Sequence, residues 1–119
     1  MFDEAQALII DRYKNPVHAG EMSDPDAVVR GENPLCGDEI EIALKLRDGV
    51  ITDIKHRCRA CAVCAASTDL LAERLKGREV QEIQATTPET VQKLLGIPLS
   101  PTRLKCALLP LETLKQAEI

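Results

Sequence analysis

Strict alternation followed by one dipeptide constrains this chain more than anything else in it. Ile40, Ile42, Leu44 and Leu46 recur at every second position, with Glu39, Glu41, Lys45 and Arg47 between them. A period of two puts the apolar set on one face of a strand and the charged set on the other. Asp48-Gly49 comes next. A type I′ turn needs positive φ at both central residues, and this pair is among the commonest solutions. Residues 50–57 return as a second strand, and a further strand is expected near residues 27–30. An isolated hairpin is at best marginal in water, so its apolar face needs a cover.

The cover is readable where the period switches. Val63, Ala66, Leu70, Leu71 and Leu75 fit a helix over residues 62–76, stopped by Gly77. Val80 and Ile83 fall in a short connector. Thr87 caps another helix that opens with Pro88, buries Val91, Leu94 and Leu95, and ends at Gly96. A last helix starts near Pro101 with a stripe of Leu104, Leu108, Leu111 and Leu114, and Pro110 should bend it or remove one turn's hydrogen bond. At the other end, Phe2, Ala5, Leu8, Ile9 and Tyr13 suit an amphipathic helix over residues 2–14, closed by Asn15-Pro16. Residues 18–34 are polar and rich in Gly and Pro, and read as an extended, mobile loop. The expected fold class is α+β: a small antiparallel sheet of about three strands with helices on one side, forming one domain over residues 1–119.

Composition narrows the function. Apolar residues make up 45% of the chain, yet it has one Phe, one Tyr and no Trp, so the core is aliphatic. Base-stacking nucleic-acid surfaces need aromatic platforms, and a net charge of −4 disfavours phosphate backbones and anionic membranes. No apolar run approaches the ~20 residues of a membrane span, and residues 1–13 do not resemble a signal peptide. These features point to a cytoplasmic protein with neither nucleic acid nor membrane as partner.

In a reducing compartment, five cysteines signal metal binding or redox chemistry rather than disulfides. Cys36-Gly37-Asp38 sets a thiol and a carboxylate around a residue that lets the backbone approach an ion. Cys61 lies where the hairpin meets the first core helix, and a helix N-terminus favours the thiolate. Cys106 lies in the first turns of the last helix, behind Arg103 and Lys105, two cations that would favour its thiolate. Three thiolates and a carboxylate would complete a tetrahedral zinc site or the outer positions of a [2Fe–2S] cluster. Cys58-x-x-Cys61-x-x-Cys64 is the competing pattern: it opens a ferredoxin-type run, which would make the chain an electron carrier, but no fourth cysteine and proline follow. Cys58 and Cys64 read more simply as an inward strand residue and a small core residue, with Cys64 near enough to Cys61 for oxidation or sulfur exchange. A zinc-stabilised binding module is a third possibility. His18 is expected to be solvated in its loop, and His56 packed on the strand beside Ile54.

Three blocks, in order along nearly the whole chain, resemble the U-type iron–sulfur scaffold family of IscU, SufU and the NifU N-terminal domain. These are Asn33-Pro34-Leu35-Cys36-Gly37-Asp38, then Cys61-Ala62-Val63-Cys64-Ala65-Ala66-Ser67, then Arg103-Leu104-Lys105-Cys106-Ala107. Tyr13, Asn15, Pro16 and Gly20 match the family's early segment. The resemblance implies that Cys36, Asp38, Cys61 and Cys106 hold the metal or cluster. An IscU-type protein would take sulfur from a cysteine desulfurase, build a [2Fe–2S] cluster and pass it to apo-proteins. A SufU-type protein would bind zinc and relay persulfide sulfur, and neither would be an enzyme in the usual sense. The chain departs from the pattern in several places. Lys105 stands where IscU-type members have histidine, and the family's glycine before the second cysteine is Ala60. The segment 99–105 only partly resembles the IscU motif that engages an Hsp70-type chaperone, which puts that partner in doubt. Arg103 and Lys105 look more like SufU, yet the span from Cys61 to Cys106 is too short for that subtype's extra segment.

Overall fold

The computed structural model describes residues 3–117, so the expected apolar position Phe2 lies outside it. Helix α1 (Glu4–Lys14) leads to strands β1 (Ala27–Asn33), β2 (Asp38–Arg47) and β3 (Val50–Arg59). Helices α2 (Ala62–Leu75), α3 (Glu82–Ala85), α4 (Pro88–Leu95) and α5 (Pro101–Lys115) follow. The strands form one antiparallel sheet in the order β1-β2-β3. This is the α+β arrangement that the periodicities imply.

Local chemistry sets the boundaries. Asp48 and Gly49 both take positive φ, 52° and 78°, as the hairpin turn demands. Asp3 caps α1 by accepting from the Gln6 amide at 2.8 Å. Thr87 and Ser100 cap α4 and α5, each with proline in the first turn. Gly96 closes α4 in the left-handed conformation.

Ile40, Ile42 and Leu44 of β2, with Ile51 and Ile54 of β3, form the sheet's inner layer. Helix α2 covers β3, and α5 lies chiefly on β1, with α1 and α4 outside them. The approach of α5 to β1 is close: a β-carbon at Gly31 would run into the Thr113 side chain. At the rim of this layer, Asp38 also points inward and is buried. No helix among the described residues is long and apolar enough to cross a membrane.

Three expectations are corrected. The segment 18–26 is not a loose loop, since His18 is buried and Ala19 bridges to His56; the strand expected near residues 27–30 is present and runs over residues 27–33. Ile83 lies in the short helix α3 rather than in a connector, buried at 2% exposure. On α5, Leu104 and Leu108 are only half-buried, and the inner face is Cys106, Ala107, Leu109, Pro110, Leu111, Thr113 and Leu114. The helix runs on through Pro110, which, having no amide proton, leaves one turn without its hydrogen bond, as expected. Proline on the buried side is tolerated because the neighbouring bonds and packing hold the turn around it.

Candidate metal centre

Cys36 stands in the turn between β1 and β2. The amides of Cys36 and Gly37 both donate to the Asn33 carbonyl, and the Leu35 amide donates to the Asn33 side chain at 3.2 Å. Gly37 takes φ +74°, a backbone that other residues rarely adopt. A β-carbon there would meet nothing within 4 Å, so the requirement is conformational rather than steric. The turn delivers the Cys36 thiol to Asp38, with Sγ donating to Oδ2 at 3.0 Å.

Asp38 organises the site. Its Oδ1 accepts from the Cys61 amide at 2.9 Å, and its Oδ2 lies 3.7 Å from the Cys61 sulfur. Burial pushes the carboxyl up. The donations from Cys36, the Cys61 amide and the other two thiols outweigh it, so Asp38 is held below the usual carboxylate range. Cys61 is itself the cap of α2: its sulfur accepts from the Cys64 amide at 3.4 Å. Helix α5 brings Cys106, 2% exposed, to 3.6 Å from the Cys36 sulfur. Burial first, and then Cys36 and Asp38, push the Cys106 thiol up. A cation seated among these groups would displace that proton.

One ligand atom each from Cys36, Asp38 and Cys106 lies within 4.8 Å of the others. The Asp38 carboxylate then ties Cys61 to the same point. A tetrahedral zinc, with Zn–S of about 2.3 Å, separates its sulfurs by about 3.8 Å. The 3.6 Å between Cys36 and Cys106 fits that edge. A [2Fe–2S] cluster takes the same four donors as two pairs, one on each iron, and needs those pairs further apart.

Other residues singled out in the sequence stand apart from this point. Cys64 is fully buried in the core, and burial with the nearby Asp38 and cysteines pushes its thiol up. Cys58 is half-buried and faces inward, but its sulfur meets His56 Nδ1 at 3.4 Å. No group made from Cys58, Cys61 and Cys64 brings its ligand atoms together among the described residues. Arg103 and Lys105 are exposed, and neither side chain makes a hydrogen bond or ion pair among those residues. Neither is among the leading causes of the Cys106 shift.

His18 is the clear correction. It is 8% exposed, not solvated, and its amide donates to buried Asp69. Asp69, which sequence reasoning passed over, also accepts from the Val17 amide, Arg12 and His56. The available signal was an acid among Ala66, Leu70 and Ala72 on a helix whose neighbours are apolar.

Comparison with known proteins bears on the family and the fold. The family model described as the NifU-like N-terminal domain matches residues 4–118. The iron–sulfur cluster assembly scaffold protein IscU of Thermotoga maritima is 33% identical over 133 residues, covering 98% of this chain and 92% of that protein. The zinc-dependent sulfurtransferase SufU of Bacillus subtilis is 27% identical, covering 92% and 85%. The crystal structure of FiSufU from Fervidobacterium islandicum superposes with a TM-score of 0.81 at 27% identity, covering 98% and 95%.

Proposed function

The chain belongs to the NifU-like N-terminal domain family, and from that premise we propose that it is an iron–sulfur cluster assembly scaffold whose cargo sits on Cys36, Asp38, Cys61 and Cys106. One observation carries the assignment: a single buried carboxylate contacts the sulfurs of Cys36 and Cys61, while Cys106 closes on Cys36. A strand, a turn and two helices must fold together to make that arrangement, and nothing in the core needs it.

The residues divide the work. Asp38, held ionised, supplies the oxygen donor. Cys61 and Cys106 are fixed by helices, whereas Cys36 sits exposed on its turn and is the thiol a partner reaches. A thiolate there attacks the outer sulfur of a desulfurase persulfide; the S–S bond breaks and the desulfurase thiolate leaves. An external two-electron reductant must then convert the persulfide's outer sulfur to sulfide, which joins iron on these donors before the cluster passes to an apo-protein. A cysteine desulfurase and apo iron–sulfur recipients are the partners this chemistry requires. The protein is a carrier rather than an enzyme, in one domain, and its five free thiols suit the reducing cytoplasm. Residues 99–105 only partly resemble the chaperone-engaging motif, and an Hsp70-type chaperone is not among the partners proposed.

A second reading is favoured by one observation. The donors are compact, with sulfurs spaced for a single tetrahedral ion. On this reading the site holds zinc and relays sulfur, as the name of the Bacillus subtilis relative describes. Anaerobic incubation with a cysteine desulfurase, ferrous iron and cysteine separates the two. A visible cluster spectrum that moves to an apo-ferredoxin supports the scaffold; retained zinc with faster desulfurase turnover supports the relay.

A further inference from the structure

One group of reactive side chains lies outside the candidate metal centre. His56, at 3% exposure on β3, reaches Asp69 on α2 through Nε2 at 2.8 Å and Cys58 through Nδ1 at 3.4 Å. The order is carboxylate, imidazole, thiol. A base that touches the nucleophile and is itself oriented by a third group is the arrangement by which proteins activate cysteine. Asp69 is fixed in turn by the Val17 and His18 amides and by Arg12 at 2.9 Å. None of this is needed to pack a strand, where a threonine or valine would serve as well as Cys58.

We propose that Cys58 is a second sulfur-accepting thiol, activated by His56 and Asp69, that takes sulfane sulfur from a persulfide outside the metal centre. That sulfur is its substrate rests on the scaffold reading; that the thiol is activated does not. Cys58 lines an open depression of 910 Å³ whose rim carries Arg30, Arg57 and Arg59 with Glu32, Glu39 and Glu41. Its side chain points to the inner face with His56 and is half-buried, neither sealed in the core like Cys64 nor exposed like Cys36. It also lies three residues before Cys61, on the strand that runs into the site.

The step balances without an oxidant. The Cys58 thiolate attacks the outer sulfur of R–S–SH, and a new S–S bond forms as the old one breaks. The electron pair leaves on the R sulfur, which takes the proton held by His56. Burial disfavours charge on His56, but Asp69 and then Cys58 more than offset this and raise its pKa to about 9. An imidazolium at neutral pH is thus both the partner of a thiolate and the acid for the leaving group. Arg12 on α1, Glu73 and Cys64 on α2, and His18 in the preceding segment are the other charged or titratable groups nearby. Arg12 competes with His56 for Asp69, so the run of groups alternates in sign.

The test is alkylation of the folded, zinc-loaded protein with iodoacetamide across pH, read by peptide mass spectrometry. The expected result is that Cys58 labels faster than the same cysteine in an unfolded control, and that His56→Gln slows it about tenfold. Cys58 labelling no faster than an unfolded control in the wild-type chain overturns the proposal, whether or not the variant folds. Unchanged labelling in a folded His56→Gln or Asp69→Asn variant also overturns it. Treatment with glutathione persulfide should add one sulfur atom to Cys58. Activated labelling without that gain overturns sulfur as the substrate. Cys58→Ser should keep full zinc, so failure here is distinct from failure of the metal-centre reading.

Discussion

Asp69 is wholly buried and accepts four hydrogen bonds, from His56, Arg12 and the amides of Val17 and His18. An acid so placed is stable only while its partners remain charged or donating, because a buried carboxylate without them costs several kcal/mol. Asp69→Asn should therefore cost about 3 kcal/mol, measured by urea denaturation of the metal-free chain. The pair also sets a pH dependence. His56 is held protonated to about 9 against an ordinary 6.5, so its stabilisation is complete below 6.5 and lost as pH rises through about 9. Burial raises the Asp69 pKa, but His56, the His18 and Val17 amides and Arg12 more than offset this and hold it well below the ordinary 3.8. Its stabilisation is present above that value and lost in acid. Urea midpoints should fall between pH 6.5 and 9 in the wild-type chain and flatten in Asp69→Asn. An Asp69→Asn chain with unchanged stability and the same slope would show that the pair carries no such energy. His56 was legible as a packed strand residue; its partner was not, because 13 residues and a change of element separate them.

Elements were most legible where local chemistry decides them. The Asp48-Gly49 turn, the Thr87 cap and the Gly96 stop are each set by backbone preferences of the residues concerned. They were least legible where packing decides. The buried face of α5 keeps Leu111 and Leu114 of the leucine stripe but takes Cys106, Ala107 and Thr113 rather than Leu104 and Leu108 into the interior, where Gly31 of β1 leaves room for Thr113. Likewise, residues 18–34 read by composition as an extended loop with a short strand near 27–30, yet β2 supplies a free edge and the strand pairs along it from Ala27 to Asn33. Gly31→Ala should cost about 1–3 kcal/mol by overpacking against Thr113. Thr113→Ala in the same chain should return much of it, since the colliding atoms are then gone. A Gly31→Ala chain as stable as the wild type would mean that β1 and α5 do not meet this closely.

Across the whole molecule, the candidate centre is assembled from distant parts of the chain. Cys36 and Cys106 lie 70 residues apart yet their sulfurs are 3.6 Å apart, and Asp38 reaches across 23 residues to Cys61. Spacing offered the near neighbours Cys58, Cys61 and Cys64 as a rival set, which β3 and α2 direct to three different surroundings: His56, the start of α2 and the core. Only resemblance to a family linked the distant three, because convergence is a property of the fold and not of local sequence. A metal on these donors would tie the β1–β2 turn, α2 and α5 together, so binding and folding should be coupled. The most direct test is the zinc and reconstituted iron content of five single Cys→Ser variants, each checked for folding by circular dichroism. Cys36→Ser, Cys61→Ser and Cys106→Ser should lose stoichiometric metal, while Cys58→Ser and Cys64→Ser retain it. Full metal in Cys36→Ser, with loss in Cys58→Ser and Cys64→Ser, would contradict the centre described.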